Sequence, residues 1–310
     1  MAKWAFLFPG QGSQYVGMGK DLKENFKVAA EIFDEADEAL SEKLSKLCFE
    51  GPEDDLKLTM NTQPAILTVS VAALRVLQQE TDITPAITAG HSLGEFSALV
   101  ASGALDFADA VRIVRKRGTF MQDAVPVGVG GMAAILGMDT EAVENICRET
   151  AQGESVAPAN YNCPGQIVIS GHMEAVKRAA EKAEAEGAKR AVMLPVSAPF
   201  HSTLMKPAAE RLAEALKSIE VSELTIPVLS NVEADFYPSK DDVKRLLAQQ
   251  VNHPVRWIEE MDKLMGEGID NALELGPGKV LCGLMRKISR EVKMKNVENA
   301  EGVKTVVSNE

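Results

Sequence analysis

Ser92 stands between two glycines in Gly90-His91-Ser92-Leu93-Gly94, after the short apolar run 86–90 and before residues with helical spacing. A G-x-S-x-G pattern between a strand and a helix makes a turn so sharp that flanking side chains would collide with backbone. It lifts the serine hydroxyl out of the sheet at a helix N-terminus. There the backbone N–H of Leu93 and the helix dipole face any negative charge that forms on an attacked carbonyl. The chemistry such a serine can do is nucleophilic attack on an acyl carbon. The competing reading is a glycine-rich turn with a capping serine.

A nucleophilic serine needs a base, and the chain has four histidines. His91 adjoins Ser92, but neighbouring side chains at a sharp elbow diverge, so a bracing role suits it better. His172 follows Val-Ile-Ser-Gly at a helix start and reads as a surface or capping residue. His253 precedes Pro254 and reads as a loop residue. His201 lies in Leu-Pro-Val-Ser-Ala-Pro-Phe-His-Ser-Thr-Leu-Met, a proline-interrupted loop of the kind that delivers a base to a site. It is the favoured partner of Ser92.

A third residue stands out by its position. In the helix predicted over 109–125, about 100° per residue places Val111, Ile113, Val114, Phe120, Met121 and Val125 on one half of the wheel. Arg112, Arg115 and Lys116 fall on the other half. Arg117 falls in the middle of the apolar half, where an unpaired guanidinium would cost several kcal/mol. Its partner is either an internal Asp or Glu, or a carboxylate that arrives on the substrate and is gripped bidentately.

The elements that must position these residues alternate. Trp4–Phe8 reads as a buried strand ending in Pro-Gly-Gln-Gly, and 26–40 has helical spacing. A long apolar helix starts at about Gln63, and 86–90 is a strand that leads into the helix from Leu93. That alternation predicts an α/β fold of hydrolase-like type, with a mostly parallel sheet and helices on both faces. After the glycine-rich 126–131 the order becomes β-α-β-β-α-β, a split βαβ, ferredoxin-like unit. It is expected as a small domain, 128–196, inserted between 1–127 and 197–310 of the large one. The strand 225–232, the helix 239–251 and the strand 270–278 then follow. A helix from Lys279 closes the fold, and a polar, loose tail is expected after Lys293.

Bulk properties narrow the function. The 310 residues carry 45% apolar side chains, enough for a sizeable core, and a net charge of −12. That charge argues against general nucleic-acid or anionic-membrane binding. The four cysteines form no CxxC, so neither a zinc cluster nor a disulfide framework is indicated. Reduced thiols and a cytoplasmic location are expected. The N-terminal apolar run is too short for a signal peptide or a membrane span.

With Ser92, Arg117 and His201 in view, the sequence resembles the malonyl-CoA:acyl-carrier-protein transacylases of fatty acid synthesis. The likeness runs through FPGQGSQ, TQPAIL, GHSLGEFSALV, VRKRGTFMQ, NYNCPGQIVISG, PFHSTLM, NHPVRW and ELGPGKVLCGL, in the family's order and over nearly the whole chain. The resemblance implies that Ser92 becomes malonylated and that His201 is its general base and later acid. It implies that the Gln250 carbonyl orients the imidazole, and that the N–H groups of Gln11 and Leu93 form the oxyanion hole. Arg117 would bind the malonyl carboxylate, and Met121 and Phe200 would line the acyl pocket. Asn160, Asn162 and Gln166 would border the cleft. The implied substrates are malonyl-CoA and acyl carrier protein, which brings the phosphopantetheine. No metal or resident cofactor is implied, and a monomer is expected. An acidic carrier must find local positive charge on this acidic chain, and the candidates are Lys189 with Arg190, and Arg286 and Lys287 with Arg290. The rival readings are a serine acyl hydrolase or thioesterase, and a non-catalytic carrier-protein docking module.

Overall fold

The computed structural model describes residues 3–196 and 198–308. The junction expected at Ser197 lies outside the described residues, as do the outermost expected boundaries at residues 1–2 and 309–310. The described residues form two four-stranded sheets. The first takes strands from both ends of the chain: β1 (Trp4–Phe8), β2 (Pro85–Gly90), β7 (Asn271–Leu275) and β8 (Lys293–Val297). Its order is β2-β1-β7-β8, and every neighbouring pair is parallel.

Burial on both faces explains why β1 is an unbroken apolar run. Phe6 and Phe8 join one core with Ala65 and Leu67 of the central helix Thr59–Glu80 and Phe96 of the elbow helix Gly94–Ala101. Ala5 and Leu7 face the opposite core, with Trp257, Met261 and Leu281 from C-terminal helices. The predicted α/β architecture with helices on both faces is therefore present. The central helix begins four residues before Gln63, so Pro64 lies inside it. Its first turn is held by the N–H groups of Asn61 and Thr62, which donate to the Leu58 carbonyl, and by the Thr62 hydroxyl, which donates to the carbonyls of Leu56 and Leu58.

The second sheet is antiparallel and comes from the middle of the chain: β3 (Gly130–Leu136), β4 (Val156–Cys163), β5 (Gln166–His172) and β6 (Arg190–Met193). Its order, β4-β5-β3-β6, is that of a split βαβ unit. Helices Thr140–Thr150 and Met173–Ala185 cover one face through Val143, Ile146, Val176 and Ala179. On the other side, Met132, Ala159 and Val168 join the core of the first sheet. Pro158, which lacks a donor, sits where the β4–β5 register slips.

Two expectations fail. Residues 225–232 form no full strand. Only Val228 and Leu229 pair, to Thr88 and Phe236, before the chain turns back at Ala234, whose φ is 51°. The segment after Lys293 is not a loose tail. It supplies β8 and then the helix Ala300–Val307, which Asn299 caps by accepting from Gly302 N–H. That helix buries Ala300, Val303 and Val306 at helical spacing, a stripe of about two turns whose period is too short to read from the sequence.

Candidate active site

The turn between β2 and the elbow helix leaves no room for side chains on its glycines. A Cβ on Gly90 would lie 1.9 Å from the carbonyl carbon of Gly94, and one on Gly94 would lie 2.0 Å from the Phe8 oxygen. Ser92 is held between them at φ 51°, a left-handed conformation that is costly for a residue with a side chain. Two side-chain contacts hold that backbone. The Ser92 N–H donates to Asn231 Oδ1 (2.7 Å), and the Ser92 carbonyl accepts from Gln250 Nε2 (2.8 Å).

The loop carrying His201 returns the imidazole to this serine. Ser92 Oγ lies 2.8 Å from His201 Nε2. His201 Nδ1 lies 2.8 Å from the Gln250 carbonyl and 3.1 Å from that of His253. A carbonyl only accepts, so Nδ1 carries the ring proton and Nε2 is free to accept from the serine hydroxyl. Burial, and next the nearby positive charge of Arg117, push the imidazole down to about 3, so it is neutral at physiological pH. Among the described residues no carboxylate pairs with Nδ1 to complete a triad.

Arg117 is only 1% exposed. No Asp or Glu lies within ion-pair distance of it among the described residues. Its Nη1 donates to Gln63 Oε1 (2.8 Å), and its Nη2 donates to Gln250 Oε1 (2.8 Å) and to Ser92 Oγ (3.2 Å). Nε has no partner. Burial pulls the guanidinium down to about 10, against the field of Glu95, and it remains charged. The direct internal salt bridge left open by the helical wheel is absent.

Ser92, His201 and Arg117 meet at a cavity of about 110 Å³, which Gln11, Leu93, Met121, Asn160 and Phe200 also line. That is far below the ~300 Å³ of a drug-sized site and suits a short acyl group. The pocket pairs a nucleophile with a neutral base and sets a lone cation opposite them. Among the described residues, no cluster of His, Cys, Asp and Glu is placed to hold a metal ion. All four cysteines are buried free thiols, and among the described residues no helix is long and apolar enough to cross a membrane.

A sequence profile of the Acyl transferase domain family spans residues 5–307. The chain belongs to the acyl transferase family. Within it, the chain is 54% identical to the malonyl CoA-acyl carrier protein transacylase of Bacillus subtilis, over 99% of this chain and 97% of the relative. It is 49% identical to that of Escherichia coli K12, over 93% of each. Among solved structures, the malonyl CoA-acyl carrier protein transacylase of Coxiella burnetii superposes with a TM-score of 0.97 at 42% identity, covering 99% of this chain and 97% of that one. A malonyl-transacylase solved in complex with a type II PKS acyl-carrier protein also gives 0.97, at 44% identity over the whole of both chains.

Not every residue singled out in this acyl transferase reaches the pocket. Asn162 sits behind it, with Oδ1 2.8 Å from His91 Nε2, and His91 packs at 5.5 Å against the Trp257 ring. That contact ties the elbow to β4, which suits the bracing role expected of His91. Gln166 stands away from the cavity and accepts from Lys287 Nζ (2.9 Å). His172 accepts from Ser155 N–H through Nδ1, and His253 supplies its carbonyl to His201. Lys189, Arg190, Arg286, Lys287 and Arg290 are exposed, and among the described residues none is paired with a carboxylate.

Five residues of the site escaped the sequence reading: Gln63, Glu95, Asn231, Tyr237 and Glu260. Glu95 and Glu260 are fully buried behind the elbow and joined through Asn231. The one legible signal was Glu95 itself, an acid one residue past the elbow in an otherwise apolar helix.

Proposed function

We propose that this acyltransferase moves a malonyl group from malonyl-CoA to the phosphopantetheine thiol of an acyl carrier protein, through a malonyl-serine. The observation that carries the reading is Arg117: a buried guanidinium with no carboxylate partner, aimed at the nucleophile. It seats the free carboxylate of the malonyl group by exchanging neutral amide acceptors for a charged one. Met121 and Phe200 flank the acyl chain, and Asn160 borders it.

The serine hydroxyl gives its proton to His201 Nε2 as Oγ attacks the thioester carbon. The N–H groups of Gln11 and Leu93 receive the developing oxyanion. The carbonyls of Gln250 and His253 hold the Nδ1 proton and so keep the ring in the accepting tautomer. On collapse, the C–S bond breaks and the imidazolium returns its proton to the departing CoA thiolate. The carrier's thiol repeats the sequence in reverse, giving a ping-pong exchange. A carbonyl in place of a triad acid is sufficient because a thiolate is an easy leaving group.

We read 128–196 as a small domain closing over the cleft, with a single chain as the working unit and no resident cofactor. Its β4–β5 turn is the natural seat for an acidic carrier. The Lys189 side chain lies against Gly137, whose N–H donates to the Gly165 carbonyl, and Lys287 reaches Gln166 on the other flank. The two cation pairs therefore bracket one hairpin.

Incubation with malonyl-CoA should add one malonyl mass to the protein, and none to Ser92→Ala. Adding holo acyl carrier protein should then discharge the label onto the carrier. Release of free malonate faster than transfer would favour a hydrolase, and failure to form any acyl-enzyme would favour a docking module.

A further inference from the structure

Behind the nucleophile lies a chain of buried polar side chains that the transfer steps do not use. Gln250 Oε1 accepts from Arg117 Nη2 (2.8 Å), while Gln250 Nε2 donates to Glu95 Oε2 (2.6 Å). The amide thus joins the guanidinium to a carboxylate that it does not touch. Glu95 also accepts from Asn231 N–H (3.2 Å) and from the Tyr237 hydroxyl. Every contact it makes is with a donor, the pattern of an ionised carboxylate. Asn231 Nδ2 in turn donates to Glu260 Oε1 (2.9 Å). Burial, and then the charge of Glu95, hold the Glu260 carboxyl well above the usual carboxylate range.

Resting on the reading of Arg117 as the substrate's carboxylate clamp, we propose that Glu95 is its resident counter-charge. Relayed by the Gln250 amide, Glu95 sets how strongly the enzyme prefers acyl groups that bear a carboxylate. It is a positioning residue that acts through Arg117. In the free enzyme Arg117 is partly neutralised from behind. A malonyl carboxylate completes the neutralisation from the front, whereas an acetyl group cannot. Arg117 also depresses the basicity of His201. Removing the charge of Glu95 therefore strengthens the pull on malonyl, and it penalises the imidazolium most where the substrate brings no charge of its own.

Glu95→Gln keeps the shape. Its amide oxygen can accept from Gln250 and Asn231, and its NH₂ can donate to Tyr237. The experiment measures kcat/KM for malonyl-CoA and acetyl-CoA at pH 8, above the value of about 7 to which burial raises this carboxyl. The malonyl-to-acetyl ratio should rise about tenfold in Glu95→Gln, as expected for one charge acting through a medium of effective dielectric about 20. Glu95→Asp, which restores the charge, should return the ratio toward wild type. Tyr237→Phe, which removes one donor and favours the protonated acid, should raise the ratio about twofold, and it carries the test if Glu95→Gln fails to fold. A brace with no electrostatic role would lower both substrates by the same factor, and that result overturns the inference. Arg117→Ala separates the two readings. If it leaves the ratio unchanged, the clamp fails and Glu95 with it. If it collapses the ratio while Glu95→Gln does not move it, only the role of Glu95 fails.

Discussion

Arg117→Ala offers the sharpest test of the clamp, because its effect can be worked from the contacts seen. In the free site the guanidinium holds two neutral amide oxygens at 2.8 Å and the serine oxygen at 3.2 Å. Seating a carboxylate exchanges neutral acceptors for charged ones. Charge-assisted hydrogen bonds exceed neutral ones by about 1–1.5 kcal/mol each. Two such exchanges give about 2–3 kcal/mol, or about 30–150-fold in kcat/KM for malonyl-CoA. Acetyl-CoA has no carboxylate to lose, and its reaction gains from relief of the positive field on His201. The malonyl-to-acetyl ratio should therefore fall by about two orders of magnitude. The assay is the rate of acyl-enzyme formation, followed by quenched-flow intact mass for each CoA ester, with Ser92→Ala as the blank. A thermal melt checks that the exposed Gln63 and Gln250 carbonyls have not unfolded the site. If both rates drop together and the ratio holds, Arg117 is a structural cation and the clamp is wrong.

Asn231→Ala removes the acceptor that holds the Ser92 N–H and the donors to Gly90 and Glu260. It should cost about 2–4 kcal/mol in urea unfolding and lower kcat by about 10–100-fold with little change in KM; an unaltered kcat would show that the elbow holds itself. For His201, the folded value of about 3 lies below the ordinary 6.5, so between these pH values the unfolded chain binds the extra proton. Wild type should therefore lose stability relative to His201→Gln as pH falls below 6.5, by about 1.4 kcal/mol per unit. The comparison must be between variants, because Glu95 slopes the other way. Its carboxyl is raised from 4.5 to about 7, so its contribution is present below 4.5 and lost as pH rises through 7. A flat difference between the two proteins would mean that the imidazole titrates normally. Replacing both Lys189 and Arg190 by Glu should raise KM for the carrier protein about tenfold and leave KM for malonyl-CoA unchanged. Equal changes in both would remove this patch from carrier docking.

What the sequence disclosed depended on whether a residue's reason for being there was local. Ser92 is legible because its glycines are demanded by the turn itself. Arg117 is legible because one helix's own spacing turns it inward. His201 was one of four candidates, favoured by its loop, and its 2.8 Å approach to Ser92 is set by the return of a chain segment more than a hundred residues away. Asn231 left no local trace. It lies in an apolar stretch that reads as a strand, yet the chain pairs there for only two residues before turning, and that turn points the amide at Ser92. Glu95 and Glu260 meet only through Asn231, so no single element carries their pattern. The C-terminal helix was missed for the opposite reason. Its signal is local, but eight residues span only about two turns, too short a run for the helical period to stand out.

Gln250 divides its labour between its two halves. Its main-chain oxygen aligns the imidazole, while its side chain bridges the guanidinium, the elbow and Glu95. Base alignment therefore has no side chain that a point mutation could delete. A substitution at this position tunes the charge around the nucleophile and leaves the base aimed. In a triad built on an aspartate, one codon change can disarm the histidine. Here the equivalent part is a main-chain carbonyl, which a side-chain substitution that keeps the helix end intact retains, so under the proposed mechanism the aim of His201 tolerates changes that would alter acyl preference.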